Sequence, residues 1–297
     1  MNIEMAYLLG MICGNGKIQR NKSETKISIF IPHKKLQTDE FYDIKLYVKA
    51  SLSDISKIIE PLLSTDILIT QSQKITTMSF TKSNQDYSIR EITRLLGNST
   101  SRDEMRIPKE IFVATKKEQE FFLKGLCDVT AYIRRSNYYF EKYKHRVYIE
   151  IPNNWYLVAD IANLLKSLDI PIQNIDWAHP NMRDGFLKKY NSGNQDFWKK
   201  EHQIKIWANE FKKIGFGISH KDAALESYAN ELLSGLDGDN KSKNYTHKYY
   251  WDSGKSVNKK KPIHPEEDDI SLPPEIRGKH YESWKDISID LGYGDKQ

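Results

Sequence analysis

The sequence predicts an α+β protein of two pseudo-symmetric repeats, each reading helix, two strands, helix, two strands, helix, followed by a C-terminal extension. Three observations predict it. First, MAYLLGMICGNGKI (5–18) and EFFLKGLCDVTAYI (120–133) both run aromatic-Leu-x-Gly-apolar and close on an isoleucine, with Gly10 matching Gly125. Second, each segment is followed by runs alternating apolar and polar residues, the period of a strand with one buried face. Third, the strands come in pairs between the helices, so a parallel βαβ sheet is not the expected architecture.

The elements follow in order. After the first segment comes KISIFIP (26–32), where Ile27, Ile29 and Ile31 alternate with Lys26, Ser28 and Phe30. DIKLYVKA (43–50) alternates in the same way, Ile44, Leu46 and Val48 against Lys45, Tyr47 and Lys49, and is predicted as a second strand. SDISKIIEPLL (53–63) is predicted as a helix capped by Ser53 or Asp54. DILITQ (66–71) and KITTMSF (74–80) read as strands, and DYSIREITRLLG (86–97) as a short helix stopped by Gly97. Residues 98–119 read as a linker in which RIPKEIF (106–112) starts a helix near Pro108. The second half continues with the strand RVYIEI (146–151) and the helix NWYLVADIANLLKSLDI (154–170), ended by Pro171. Strands around 172–178 and at QIKIWA (203–208) follow, then the helix DAALESYANELLSG (222–235), capped by Asp222 and stopped by Gly235. The expected organisation is a first repeat over 1–97, a linker over 98–119, a second repeat over 120–235 and a polar extension over 236–297. Tyr281, Trp284, Ile287 and Leu291 suggest one short helix in the extension.

Composition bounds the function. With 39% hydrophobic and 29% charged residues, the 297-residue chain suits a soluble globular protein with a sizeable core. No run of apolar residues is long enough to span a membrane. The N-terminal MNIEMAYLL carries an acid where an export signal would be basic, so a cytoplasmic protein is expected. The two cysteines, Cys13 and Cys127, lie in apolar helical patterns and form no zinc motif. The net charge is +5, and all the basic excess lies in the first 235 residues, with 34 Lys and Arg against 28 Asp and Glu. That excess allows a phosphate-backbone partner without requiring one.

YLLGMICGNG (7–16) and FLKGLCDVTA (122–131) resemble the paired motifs of LAGLIDADG homing endonucleases, and RIPKEIF is similar to the linker phrase before the second motif. The resemblance covers about residues 3–234 and looks like the single-chain, two-repeat form. It implies a central pair of motif helices flanked by four-stranded sheets that form a saddle, binding double-stranded DNA as a monomer. On the expected saddle face stand Lys17, Gln19, Arg20, Lys26, Ser28, Lys45, Tyr47 and Lys49 in the first half. Arg134, Arg135, Asn137, Arg146, Tyr148, Lys205 and Trp207 stand there in the second. Arg and Lys suit guanine edges and phosphates, Gln and Asn suit adenine. A plain solvated sheet face reads much the same in sequence.

In the family, each motif ends on an acid that helps hold a divalent cation at the scissile phosphate, commonly Mg²⁺, which takes hard anionic oxygens. Carried over, those positions are Asn15 and Thr130, and Ala131 stands where glycine is usual. Asp128 matches an earlier acid of the motif, a position more like a helix-end residue than a ligand; its counterpart in the first motif is Cys13. The expectation is a DNA-binding chain whose family-type cleavage is impaired, or which acts with a partner nuclease. The alternative is an active Mg²⁺-dependent endonuclease of homing, restriction or defence, with Asp128, Glu24 or Glu150 taking over the metal. A third class is a protein-interaction scaffold, and the extension offers a surface for a partner protein. Glu24-Thr25-Lys26 ends a common nuclease signature but lacks a well-placed partner aspartate.

Overall fold

The computed structural model describes residues 1–38, 44–135, 145–152, 154–176, 201–229 and Lys279. These fall into two compact units, one holding residues 1–149 and 207–229, the other 150–206. The extension, Asn137 and the last residues of the helix predicted to reach Gly235 lie outside the described residues.

The first motif helix, α1 (Ile3–Asn15), is buried from Met5 to Asn15 on every side. A helix apolar all round has to sit in a core, which is what its composition dictates. Asn2 caps it by accepting from the Met5 N–H at 2.9 Å, and the chain passes straight from Asn15 into β1 (Gly16–Arg20). The second motif helix, α5 (Lys116–Thr130), is buried from Phe122 onward apart from Lys124 and runs straight into β5 (Ala131–Arg135). Its start is a capping box: Thr115 Oγ1 accepts from the Glu118 N–H, and Glu118 Oε2 accepts from the Thr115 N–H at 2.8 Å.

The Thr115 hydroxyl is the largest influence holding the Glu118 carboxyl down, to about 2 from an ordinary 4.5. A depressed carboxyl stabilises the fold above its unfolded value and loses that contribution as pH falls. Glu118 should therefore contribute fully above about pH 4.5 and lose its contribution on the way to about pH 2. Acid titrations of the wild type and Glu118→Gln should diverge above that window and converge below it; parallel curves would refute the role of the cap.

Both sheets are antiparallel and share one strand order. The first is β1-β2-β4-β3, with β2 (Glu24–Pro32), β3 (Leu68–Gln71) and β4 (Ile75–Ser83). The second is β5-β6-β8-β7, with β6 (His145–Pro152), β7 (Asn174–Asp176) and β8 (Glu201–Trp207). The alternation read from the sequence is borne out in β2, whose inner face carries Ile27, Ile29 and Ile31, each 1% exposed or less. In β6 it is not: residues 145–151 are buried on both faces. A strand covered on both sides needs no alternation in burial, only in chemistry.

The remaining helices are α2 (Ile44–Leu63), α3 (Tyr87–Leu96), α4 (Lys109–Phe112), α6 (Trp155–Ser167), α7 (Ala208–Phe211) and α8 (Ser219–Ala229). Asp86 caps α3 by accepting from the Ser88 N–H, and Gly97 ends it at φ 61°. Asn154 caps α6, and Pro108 precedes α4. No helix among the described residues is long and apolar enough to cross a membrane.

DIKLYVKA is a correction: it opens α2 and is not a strand. Val48, Leu52, Ile55, Ile59 and Leu63 are all buried, a stripe at spacings of three and four that runs through the segment without a break. Six alternating residues satisfy a strand, but the stripe continuing beyond them decides for the helix. Ser53 and Asp54 are accordingly mid-helix, and Asp54 accepts from the Ser219 N–H at 2.8 Å instead of capping its own helix. The strand missing from the expected order is β1, which follows α1 with no loop. Asp222 likewise lies inside α8, where it accepts from the Phe216 N–H.

Candidate functional site

The site is built on the pairing of α1 with α5. A Cβ on Gly10 would stand 2.0 Å from the Phe122 carbonyl oxygen, and one on Gly125 would stand 2.0 Å from that of Tyr7. Each glycine thus admits the other helix's backbone, and the crossing is reciprocal. One turn further on, a Cβ on Gly14 would meet Val129 and Thr130. The two motifs therefore end side by side, at Asn15 and Thr130.

Neither end presents a carboxylate. Asn15 is 5% exposed, its Nδ2 donates to the Phe30 carbonyl at 2.7 Å, and its Oδ1 accepts from Arg102 Nη1 at 2.6 Å. An aspartate there would set a carboxylate oxygen against the Phe30 carbonyl, so the position takes an amide. Thr130 is 3% exposed and its hydroxyl donates to the Leu126 carbonyl one turn back, at 2.7 Å. Both oxygens are thereby engaged, one of them by a guanidinium. These positions do not fit a divalent cation, which needs hard, anionic oxygens free to turn toward it. Among the described residues, no group of three or more His, Cys, Asp or Glu stands together.

Asp128 is fully buried and used inside the protein. Its Oδ2 accepts from the Tyr7 hydroxyl at 2.6 Å and the Gly217 N–H at 3.0 Å, and its Oδ1 lies 3.8 Å from Lys221 Nζ. Lys221, also 0% exposed, donates to the Cys127 and Ala131 carbonyls, both at 3.0 Å. Both carbonyls stand at the negative end of α5, where a cation is favoured, and the Cys127 carbonyl also accepts from the Ala131 N–H. Burial pushes the Asp128 carboxyl up and the Lys221 ammonium down. It also pushes the Tyr7 hydroxyl well up, with the Asp128 charge adding to it.

The other candidate acids stand elsewhere. Glu24 is exposed at the far end of the β1–β2 hairpin, beyond the Arg20–Thr25 pair. At ~3.3 Å per strand residue that is about 16 Å from Gly16. Glu150 is buried in the second unit, where its Oε1 accepts from Gln203 Nε2 at 3.0 Å. Cys13 and Cys127 are buried free thiols, and burial pushes the Cys127 thiol up.

The register of the first sheet sorts its polar residues. Lys17, Ser28, Ser79 and Leu68 form one row across the four strands, and Gln19, Lys26 and Thr81 form the next. Lys17, Gln19, Lys26, Thr81 and Thr70 are exposed on this face, while Ser28 is 7% exposed. No hydrogen bond or ion pair engages the side chains of Lys17, Gln19 or Lys26 among the described residues. Arg20 belongs to the opposite face by parity, in register with Thr25, and its Nη2 donates to the Gly97 carbonyl at 2.9 Å. Its expected place beside Lys17 and Gln19 is therefore corrected. Lys45, Tyr47 and Lys49 also leave the sheet, because their segment is α2; Lys45 and Lys49 are exposed, and Tyr47 packs edge-on against His220 at 4.3 Å.

The second-half residues form a layered cluster. Tyr132 stacks on its cross-strand partner Tyr148 at 5.3 Å, and the Arg134 guanidinium lies 4.6 Å from the Tyr148 ring. Arg146, paired with Arg134 across the strands, lies 4.1 Å from the Trp207 ring. Tyr148, Arg146 and Trp207 are all 5% exposed or less, so they are not the open surface that the alternation predicts. Their stems and rings fill space, and the guanidinium groups lie against aromatic rings. Lys205 is half-buried in the second unit, in register with Asn174. The Arg135 side chain and Asn137 lie outside the described residues.

No family profile matches the chain, and no curated protein matches it. Solved structures do. One is I-DmoI in complex with DNA and Mn, at 16% identity over 78% of this chain and 100% of that one, TM-score 0.40. Another is the LAGLIDADG homing endonuclease I-GzeII in complex with its DNA target, at 12% identity over 78% and 85%, TM-score 0.33. A double mutant of I-SmaMI is similar at 9% identity over 77% and 85%, TM-score 0.33. The chain resembles LAGLIDADG homing endonucleases.

Around the pair of α1 and α5, three residues escaped the sequence reading. Arg102 sits in the linker, Lys221 looks like an ordinary charge at a helix start, and Tyr7 looks like one more core aromatic. A basic residue at an early helix position, where cations are disfavoured, was the one available signal for Lys221.

Proposed function

We propose that this chain binds double-stranded DNA with sequence preference through the open face of its first sheet, and does not cut it by the family's metal mechanism. The observation that carries the reading is the row-wise placement of Lys17, Gln19 and Lys26, exposed and unengaged, among the hydroxyls of Thr70 and Thr81. Amide, hydroxyl and ammonium groups at strand spacing suit base edges and phosphates in a major groove. Two half-sites of about one helical turn each would make a site of about 20 base pairs. The engaged oxygens of Asn15 and Thr130 support loss of the metal step, and leave cutting to a partner nuclease where it occurs.

The test is salt-dependent binding. Each phosphate contact contributes about 0.9 to the slope of log affinity against log salt. Lys17→Ala with Lys26→Ala should weaken binding at least tenfold and lower that slope by one to two, on the order expected for two lost contacts. Lys49→Ala, on α2, should leave both unchanged. Wild-type affinity and slope in the double variant would refute the assignment of this face.

A further inference from the structure

We propose that Leu68 selects a thymine in the bound duplex, taking the 5-methyl group of the base against its side chain in the major groove. The inference rests on the DNA-binding reading above and names the base that one residue of that face selects. Leu68 stands on the edge strand β3 and is 62% exposed. The register puts it in one row with Ser79, Ser28 and Lys17. That row crosses three strand spacings, about 14 Å, close to the roughly 12 Å width of a major groove. An ammonium therefore stands at one end of the row and a branched apolar group at the other, with two buried serines between them.

The face is divided by chemistry. Its β1 and β2 side carries the exposed Lys17, Gln19 and Lys26. Its β3 and β4 side carries methyl-bearing residues: Thr70 pairs with Thr77 in the row next to Leu68, and Ile75, 39% exposed, lies two residues before Thr77 on the same face. Among the strand residues of this face the one acid is Glu24, at the far tip of the β1–β2 hairpin, so a phosphate-bearing partner meets no carboxylate on the strands around Leu68. An exposed leucine on an edge strand is a liability that folded proteins ordinarily cover or replace with charge. Its continuity with Lys17 and Lys26 points to a partner that offers phosphates and an apolar group within one groove. Thymine is the base that presents a methyl group to the major groove, and the other base edges there are read through donors and acceptors. A leucine has neither donor nor acceptor, so the methyl group is the feature it can select.

The experiment uses the full chain and the site it enriches from a randomised library, with each thymine replaced in turn by deoxyuridine, which lacks only the 5-methyl group. Wild-type affinity should fall about fourfold at one position, the effect of withdrawing one methyl group from burial. At that position 5-methylcytosine should bind more tightly than cytosine. Leu68→Ala should abolish the difference between thymine and deoxyuridine there and keep the salt slope, because the leucine meets no phosphate. Lys17→Ala with Lys26→Ala should do the reverse, lowering the slope and keeping the difference. Equal wild-type affinity for every substituted duplex would overturn the role of Leu68 and leave its exposed edge to a protein partner, with the phosphate contacts of the face still standing. A thymine preference that survives in full in Leu68→Ala would overturn it as well. Failure of the wild type to enrich any site at low salt would overturn the DNA reading itself.

Discussion

Gly10→Leu should leave the chain unable to fold, and Gly10→Ala alone should cost about 3 kcal/mol or more. The reason is geometric. A single added Cβ lands 2.0 Å from the Phe122 carbonyl oxygen and 2.8 Å from the Leu126 nitrogen, both backbone atoms of α5. A side chain could swing aside, but a helix backbone moves only if the whole helix moves. Restoring ordinary contact near 3.4 Å needs about 1.4 Å of separation, which opens the packing of Leu8, Met11, Phe122 and Leu126, all 0% exposed. Gly125→Ala should behave alike, because its Cβ meets the Tyr7 carbonyl at the same 2.0 Å. Urea midpoints measure this. A Gly10→Ala midpoint equal to the wild type would mean that the helices do not cross at these glycines.

Asp128→Leu and Lys221→Met should each destabilise by about 3–5 kcal/mol, the cost of leaving one buried charge without its partner. Both groups are 0% exposed, and neither can reach water when the other is removed. The lysine variant also removes the ammonium's hydrogen bonds to the Cys127 and Ala131 carbonyls at the end of α5, and the aspartate variant removes the acceptor of the Tyr7 hydroxyl and the Gly217 N–H. The double variant should be less harmful than the sum of the two, by about 1 kcal/mol or more, because the charges disappear together. Strict additivity in chemical unfolding would mean that the pair is not coupled and that each group serves only its own hydrogen bonds.

Much of this architecture was legible in the residues. The two glycine-bearing motifs, the isoleucine alternation of β2, and the Asp86 and Gly97 limits of α3 each state a local rule that the fold obeys. What was not legible depends on continuity or on distant partners. DIKLYVKA alternates like a strand, and only the stripe from Val48 to Leu63 assigns it to a helix. Arg20 shares a strand with Lys17 and Gln19, but parity places it on the other face, where it ties β1 to the end of α3. The cation–aromatic layering of Arg134, Tyr148, Arg146 and Trp207 has the composition of an open polar face. Side-chain chemistry alone does not separate a charge that waits for a phosphate from one that lies on an indole. The loss of acids at 15 and 130 was visible at once; that Arg102 lies against Asn15 was not, because 87 residues separate them.

The most direct measurement selects bound duplexes from a randomised library with the full chain, then incubates the enriched DNA with Mg²⁺ or Mn²⁺ and reads both strands for breaks. The account predicts enrichment of one extended site of about 20 base pairs, with both strands intact. Strand scission at the centre of that site would contradict the loss of the metal step. Failure to enrich any site at low salt would contradict DNA binding.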